Sequence, residues 1–328
     1  MPVLFHLIYL YIKAIIFLYI IPRRNRVADW RRHFIMILTI KSESLTVEIE
    51  DAGAQLASVR DNKSGVQYIW QGDPNIWARR APLLFPVIAR LRDNQYTFDG
   101  KTWNMPIHGF CRSAPFTVRE QSETSVSFAY SDNDETRKSY PFAFHLTVTY
   151  SIKGRVLTKR HKIENRSKIP MLYELGGHDG FRAPLAVGET MDDYSIHIPG
   201  LTSITPYGMD AANMITPKTK TFNLTDGKIQ LKPSVYNLDT VILDNLPQRK
   251  AVLTDKQNRP RVTMEFKDFP YLGIWTAAKD FDTNYVCIEP WTTLPDAVFA
   301  GRDLSEKIGV RALEPGKTDT LSYTTTFQ

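Results

Sequence analysis

Beyond residue 36 the chain alternates between apolar and polar positions. Leu45, Val47 and Ile49 are separated by polar residues, and Phe142, Phe144, Leu146, Val148 and Tyr150 extend the same period over a longer run. A two-residue period sends successive side chains to opposite faces, so each run predicts a strand with one buried face. Turn signals recur at Asn62–Gly65, Asp99–Gly100, Lys153–Gly154 and Asp226–Gly227. Pairs of this kind accept the positive φ that tight hairpins require. No stretch after residue 36 holds a helical period beyond two or three turns. The twenty prolines suit strand edges and loops better than helix interiors. With no internal repeat, low-complexity tract or linker, the pattern predicts one large all-β antiparallel domain over residues 36–328.

Residues 2–22 depart from this pattern. PVLFHLIYLYIKAIIFLYIIP is apolar except at His6 and Lys13, and a basic cluster from Arg23 to Arg32 follows it. Its length suits a helix crossing a bilayer, and the positive flank would hold the rest of the chain in the cytoplasm. It has neither the basic start nor the small-residue cleavage site of a secretory signal. A second reading, which we favour, makes residues 1–35 an extension upstream of a start at Met36. There MILTIKSESLTVEI opens directly into an alternating strand. Both readings predict a cytoplasmic body, with membrane contact only through the first segment.

Composition narrows the function. A chain of 328 residues with 43% hydrophobic and 23% charged residues has the material for a large globular core. The net charge is +6, but residues 1–35 carry six cations (Lys13, Arg23, Arg24, Arg26, Arg31, Arg32) against Asp29. Five of the six net charges therefore lie there, and the body carries only +1. That near-neutrality argues against nucleic-acid binding, which needs a concentrated cationic surface. Cys111 and Cys287 are too few for a disulfide framework and predict free thiols in a reducing compartment. His108 and Cys111 have half-site spacing for a metal, but no second pair at ligand spacing follows, so no metal is predicted.

Three short phrases carry the candidate chemistry: IHGF at 107–110, GGHDGF at 176–181 and CIEPW at 287–291. Each sets an ionisable side chain (His108, His178 or Glu289) beside glycine or proline at the edge of an apolar run, where a strand passes into a loop. Singly, each has a plain reading as a hydrogen-bonded turn residue. Together, one carboxylate and two imidazoles form a set able to move protons near neutral pH. No nucleophile motif or phosphate loop accompanies them, so proton shuttling on an uncharged, hydroxyl-rich substrate is predicted.

The longer phrases around these residues occur in a telling order: WQGDPNIWARRAPLLFPVIARL (70–91), DGKTWNMPIHGFCR (99–112), GGHDGFRAPL (176–185) and IWTAAKDFDTNYVCIEPWTTLPDA (274–297). From Leu38 to Phe327 the chain resembles the galactose mutarotase-like superfamily, in particular the aldose 1-epimerase branch that includes the LacX-like proteins. The resemblance implies a β-supersandwich with its site on a concave sheet face, and a reaction that interconverts the α and β anomers of an aldohexose without a cofactor. It implies that Glu289 takes the C1 hydroxyl proton, that His178 protonates the ring oxygen, and that His108 binds the sugar near that oxygen. A protonated His178 beside ionised Glu289 would have a raised pKa.

Arg90 matches the substrate-side arginine of that family, and Asp296 follows the EPW phrase where an aspartate that fixes the loop is common. Trp275 and Trp291 are candidate apolar platforms for a pyranose face. Arg79 and Arg80 invite a phosphorylated sugar, but neighbours on a strand face opposite ways, so the two are not expected to hold one phosphate. Departures from the LacX-like pattern occur at Asp179, Arg182, Thr293 and Leu294, beside the proposed acid and base. Two other readings are a carbohydrate-binding protein without turnover, and a glycoside hydrolase or lyase. Hydrolysis normally needs a second carboxylate, for which Asp179 is the candidate. His145, His161 and His197 read as structural or surface residues.

Overall fold

The computed structural model describes residues 35–232, 240–277 and 283–328. The apolar segment 2–22, with its readings as anchor or upstream extension, lies outside the described residues. Among those residues, no helix is long and apolar enough to cross a membrane, and the one α-helix spans Asp134–Arg137.

The alternating runs form strands as their period predicts. Leu45–Glu50 buries Leu45, Val47 and Ile49, and Phe144–Lys153 buries Phe144, Leu146, Val148, Tyr150 and Ile152. Phe142 is buried just ahead of the second strand. The turn signals also hold: Gly65, Gly100, Gly154 and Gly227 all have positive φ. Asp99 and Gly100, both left-handed, join the paired strands Gln95–Phe98 and Lys101–Asn104.

Two antiparallel sheets build the body of the fold. The larger has nine strands, from Lys228–Gln230 at one edge to Thr117–Gln121 at the other. Its centre is the register Val156–Asn165 between Phe144–Lys153 and Thr318–Phe327. The smaller places Asp179–Arg182, Tyr285–Trp291, Tyr271–Trp275 and Thr240–Leu243 side by side. One continuous apolar core joins both sheets, and a three-stranded sheet beginning at Ile37 packs into the same core.

That core contains an unexpected polar cluster. On Val156–Asn165 the inward positions include Lys159 and His161, which are 2% and 0% exposed. Lys159 Nζ lies 3.6 Å from the Asp179 carboxylate, and the Tyr323 hydroxyl donates to Asp179 at 2.9 Å. A charge sealed from water needs a partner, and this one is supplied across the two sheets. Asp179 therefore faces the interior of the sandwich, opposite to its neighbour His178. It is a bridge between layers, so the candidate second carboxylate of the hydrolase reading is engaged in the interior. His161 is structural, as its strand context predicts, and burial with nearby Lys159 pushes its pKa down to about 3.

Candidate functional site

Strand Tyr285–Trp291 divides its residues between two environments. Val286 and Ile288 enter the main core, while Tyr285, Cys287, Glu289 and Trp291 alternate onto the other face. On that side a cavity of about 480 Å³ opens, with Glu289 and Trp291 in its wall. The strand on one side pairs Gly273 with Glu289, and the strand on the other side sets Asp179 opposite Ile288. His178, one residue before Asp179, thus arrives beside Glu289.

Residues separated by 111 positions in sequence meet here: His178 Nε2 is 3.4 Å from Glu289 Oε2. The two are 6% and 1% exposed. The expected electrostatic consequence does not follow. His178 is held down to about 3, first by burial and then by the positive charges of Arg112 and Arg79. The raised pKa expected from a charge pair is corrected: burial of the ring, reinforced by the charges of Arg112 and Arg79, holds the pKa down, and His178 is neutral.

His108 reaches the same floor from a loop of unusual backbone. Both His108 and Ala89 have positive φ, and they are tied by two hydrogen bonds. The His108 N–H donates to the Ala89 carbonyl at 2.7 Å, and the Ala89 N–H donates to His108 Nδ1 at 3.1 Å. With Nδ1 occupied as an acceptor, a neutral His108 carries its proton on Nε2 as a donor. Burial of the ring, with the charges of nearby arginines, holds its pKa well below the usual value, so the ring is neutral. The next residue must be glycine, because a methyl group at Gly109 would run into the Phe85 carbonyl. The two imidazoles stand edge to face, with ring centres 5.4 Å apart.

The cavity brings together most of the residues singled out from sequence. Arg90, His108, His178, Trp275, Glu289 and Trp291 all line it. Trp275 meets His178 edge-on at 5.5 Å. Trp291 is 3% exposed and packs into a small apolar cluster with Leu84, Ile88 and Ile242. Asp296 stands outside the lining. Its carboxylate accepts from the backbone N–H of Arg92 at 2.9 Å and of Ala297 at 3.0 Å, so it fixes the loop.

Of the lining residues that the sequence reading did not single out, an aromatic and a cation stand closest to the chemistry. Trp77 stacks on His178 at 5.1 Å with the rings 26° apart, and on Tyr285 at 5.2 Å. Arg112 enters four residues after His108. Both lie inside the phrases quoted above, but neither stands beside the glycine or proline punctuation that marked the others. Among the described residues of the lining, Glu289 is the only carboxylate.

Ligand atoms of His178, Cys287 and Glu289 lie within 4.8 Å of one another, a set with donors for a divalent cation. Burial and the charges of Glu289 and Asp179 push the Cys287 thiol well above its ordinary range. That opposes the thiolate a metal would require. Cys111 is likewise a free, buried thiol.

Comparisons with known proteins place the chain and its fold. Two curated relatives, the chromosomal and plasmid LacX proteins of Lactococcus lactis, are each 30% identical over 300 residues, covering 89% of this chain and 99% of theirs. A galactose mutarotase related enzyme from Lactobacillus acidophilus superposes with a TM-score of 0.84 at 33% identity, covering 89% of this chain and 97% of that one. A galactose mutarotase-like protein from Lactobacillus casei gives 0.82 at 28% identity, covering 89% and 100%. The architecture is accordingly the galactose mutarotase-like β-sandwich expected from the sequence. The family model described as aldose 1-epimerase matches residues 36–311, and with that span and these relatives the chain belongs to the aldose 1-epimerase family.

Proposed function

We propose that this protein is an aldose 1-epimerase that interconverts the α and β anomers of a hexose by opening its ring. The observation that carries the reading is the His178–Glu289 pair, 3.4 Å apart at the floor of a cleft of about 480 Å³. A cavity of that size falls in the range that encloses small ligands.

Ring opening removes the proton from the C1 hydroxyl and delivers one to the ring oxygen as the C1–O5 bond breaks. Glu289 accepts the first proton and His178 donates the second. The aldehyde turns about its C1–C2 bond, and the reverse transfers close the ring as the other anomer. The transfer begins with one proton on His178 and ends with it on Glu289, so the number of protons does not change; because His178 is otherwise neutral, the bound sugar must favour this protonated state. The working state is therefore the pair carrying one proton, and its apparent pKa values belong to the pair. His108 Nε2–H is a fixed donor toward the sugar, prepared by the Ala89 hydrogen bond. Trp77 and Trp275 hold the His178 ring from its face and edge and offer apolar surface to the pyranose.

A glycosidase reading finds no second carboxylate among the described lining residues, since Asp179 is engaged by Lys159 and Tyr323. The test is anomer exchange of freshly dissolved α-glucose and α-galactose, followed by polarimetry with the full chain. Exchange faster than the spontaneous rate is expected for at least one of them. An unchanged rate for both, with sugar still bound, would favour a binding protein. Because one proton must be shared, the rate is expected to rise and then fall with pH as the pair first loses its second proton and then its last. A rate independent of pH would contradict the pair as acid and base.

A further inference from the structure

Strand Asp179–Arg182 begins one residue after His178, and its alternation sends Asp179 and Phe181 into the core. His178 and Gly180 are left on the side of the cleft. Gly180 has a reason to be glycine: an added Cβ would stand 2.9 Å from the Trp77 ring and 2.9 Å from the Arg80 carbonyl oxygen. The missing side chain is therefore the seat of Trp77. From that notch the indole stacks on His178, with ring centres 5.1 Å apart and 26° between the planes. The same indole stacks on Tyr285 at 5.2 Å and 13°, and Trp70 stacks on Tyr285 in turn at 4.6 Å. Trp70 also donates its Nε1–H to the Trp77 carbonyl at 2.8 Å, so backbone and ring are both fixed.

The proton transfer to the ring oxygen needs an imidazolium at His178, and most of its surroundings oppose one. Burial and the charges of Arg112 and Arg79 act against it. His108 meets the ring edge to face at 5.4 Å and is neutral, and the Cys287 thiol nearby stays protonated. Glu289, at 3.4 Å, is the one carboxylate among the described lining residues. The face of an indole is a second source of negative potential. It attracts a cation within about 6 Å of its centre, most strongly where water is excluded, and tryptophan does so better than phenylalanine or tyrosine. His178 is within that distance and 6% exposed.

We infer that Trp77 is a positioning residue that acts through His178, its indole face stabilising the imidazolium from which the ring oxygen takes its proton. This rests on the epimerase reading above and deepens it. A neutral imidazole gains only packing from the stack, whereas the charged ring gains the attraction as well. The contact therefore strengthens when the acid is loaded, and it favours turnover over the binding of sugar. Seating the indole on a glycine and pinning it through Trp70 and Tyr285 keeps its face on the ring throughout the cycle.

Fluorine tests the face without moving it. Biosynthetic replacement of tryptophan by monofluoro and difluoro analogues withdraws negative charge from the indole face at nearly constant shape. The chain has six tryptophans, so Trp77→Phe labelled in the same way controls for the others. Anomer exchange of glucose and galactose is measured by NMR with the full chain, separating kcat from KM. In the wild type, kcat is expected to fall with each fluorine, by about 3-fold or more in total, with KM little changed. In Trp77→Phe, which keeps a weaker face, the same analogues should leave kcat level. The pH profile is a second readout that needs no variant. A weaker face lets the imidazolium lose its proton more readily, so the rise and fall of the rate both move to lower pH with fluorination. A rate and a profile that ignore fluorine, or that respond equally in Trp77→Phe, overturn the role of Trp77 and leave the epimerase reading in place. Exchange of neither sugar by the unlabelled wild type overturns both.

Discussion

A histidine flanked by glycines is visible in sequence, but the balance of forces on its ring is not. His178 packs against Trp77 and Trp275, and burial, reinforced by the charges of Arg112 and Arg79, sets its protonation. The same holds for His161, and His108 is lowered in the same direction. An unfolded chain binds protons at these positions near the ordinary histidine value of about 6.5. The folded chain resists until about pH 3 at His161 and His178. More protons are therefore bound by the unfolded state throughout that window, and stability is lost as pH falls through it. Each histidine contributes up to about 1.4 kcal/mol per pH unit. Thermal denaturation between pH 7 and pH 4 is expected to show a falling Tm, with a shallower slope in His161→Phe. A flat profile would contradict neutral burial. Glu289, His178 and His108 were legible because each stands beside glycine or proline, although Glu289 lies within its strand rather than where the strand passes into a loop. Asp179 sits in the same phrase, yet its role depended on the opposite face of the strand and on Lys159, twenty residues upstream.

At the scale of the element, alternation does most of the positioning. Strand Tyr285–Trp291 gives Val286 and Ile288 to the core and turns Glu289 and Trp291 to the cleft. Its neighbour leaves room for the result: the Trp291 ring lies over Gly273, where an added Cβ would stand 2.5 Å from it. Gly273→Ala is expected to displace Trp291, destabilise the fold by about 1–3 kcal/mol and slow exchange. Urea unfolding checks the first effect, and an unchanged midpoint would show that the ring yields freely. A second element-scale contact supports the loop that holds His108. Buried Glu174 accepts from Ile88 N–H at 2.6 Å and pairs with buried Lys307 at 3.2 Å. Removing one partner of such a pair leaves an uncompensated charge, so Lys307→Met is expected to cost about 3–5 kcal/mol in the same assay. The strands themselves were legible from the two-residue period and the turn signals. Trp77 and Arg112 were not, because loop residues carry no period that assigns them a face.

For the molecule as a whole, locating the charge mattered more than its total. Five of the six net positive charges fall in residues 1–35, and the remainder describes a nearly neutral body. That average concealed a local excess, since three guanidiniums face one carboxylate in the described lining of the cleft. The layered architecture was legible from strand pattern and from the ordered phrases. The meeting of His178 with Glu289, and of Lys159 with Asp179, was set by pairing between distant strands, which a single sequence does not display. Exchange of anomers remains the property on which the account turns. The most direct measurement compares wild type with Glu289→Gln and His178→Ala by magnetisation-transfer NMR between α and β sugar signals, with sugar affinity measured in parallel by calorimetry. The account expects exchange well above the spontaneous rate in the wild type, lost in both variants while Glu289→Gln still binds sugar. Exchange that persists in either variant, or bound sugar that never exchanges in the wild type, would contradict it.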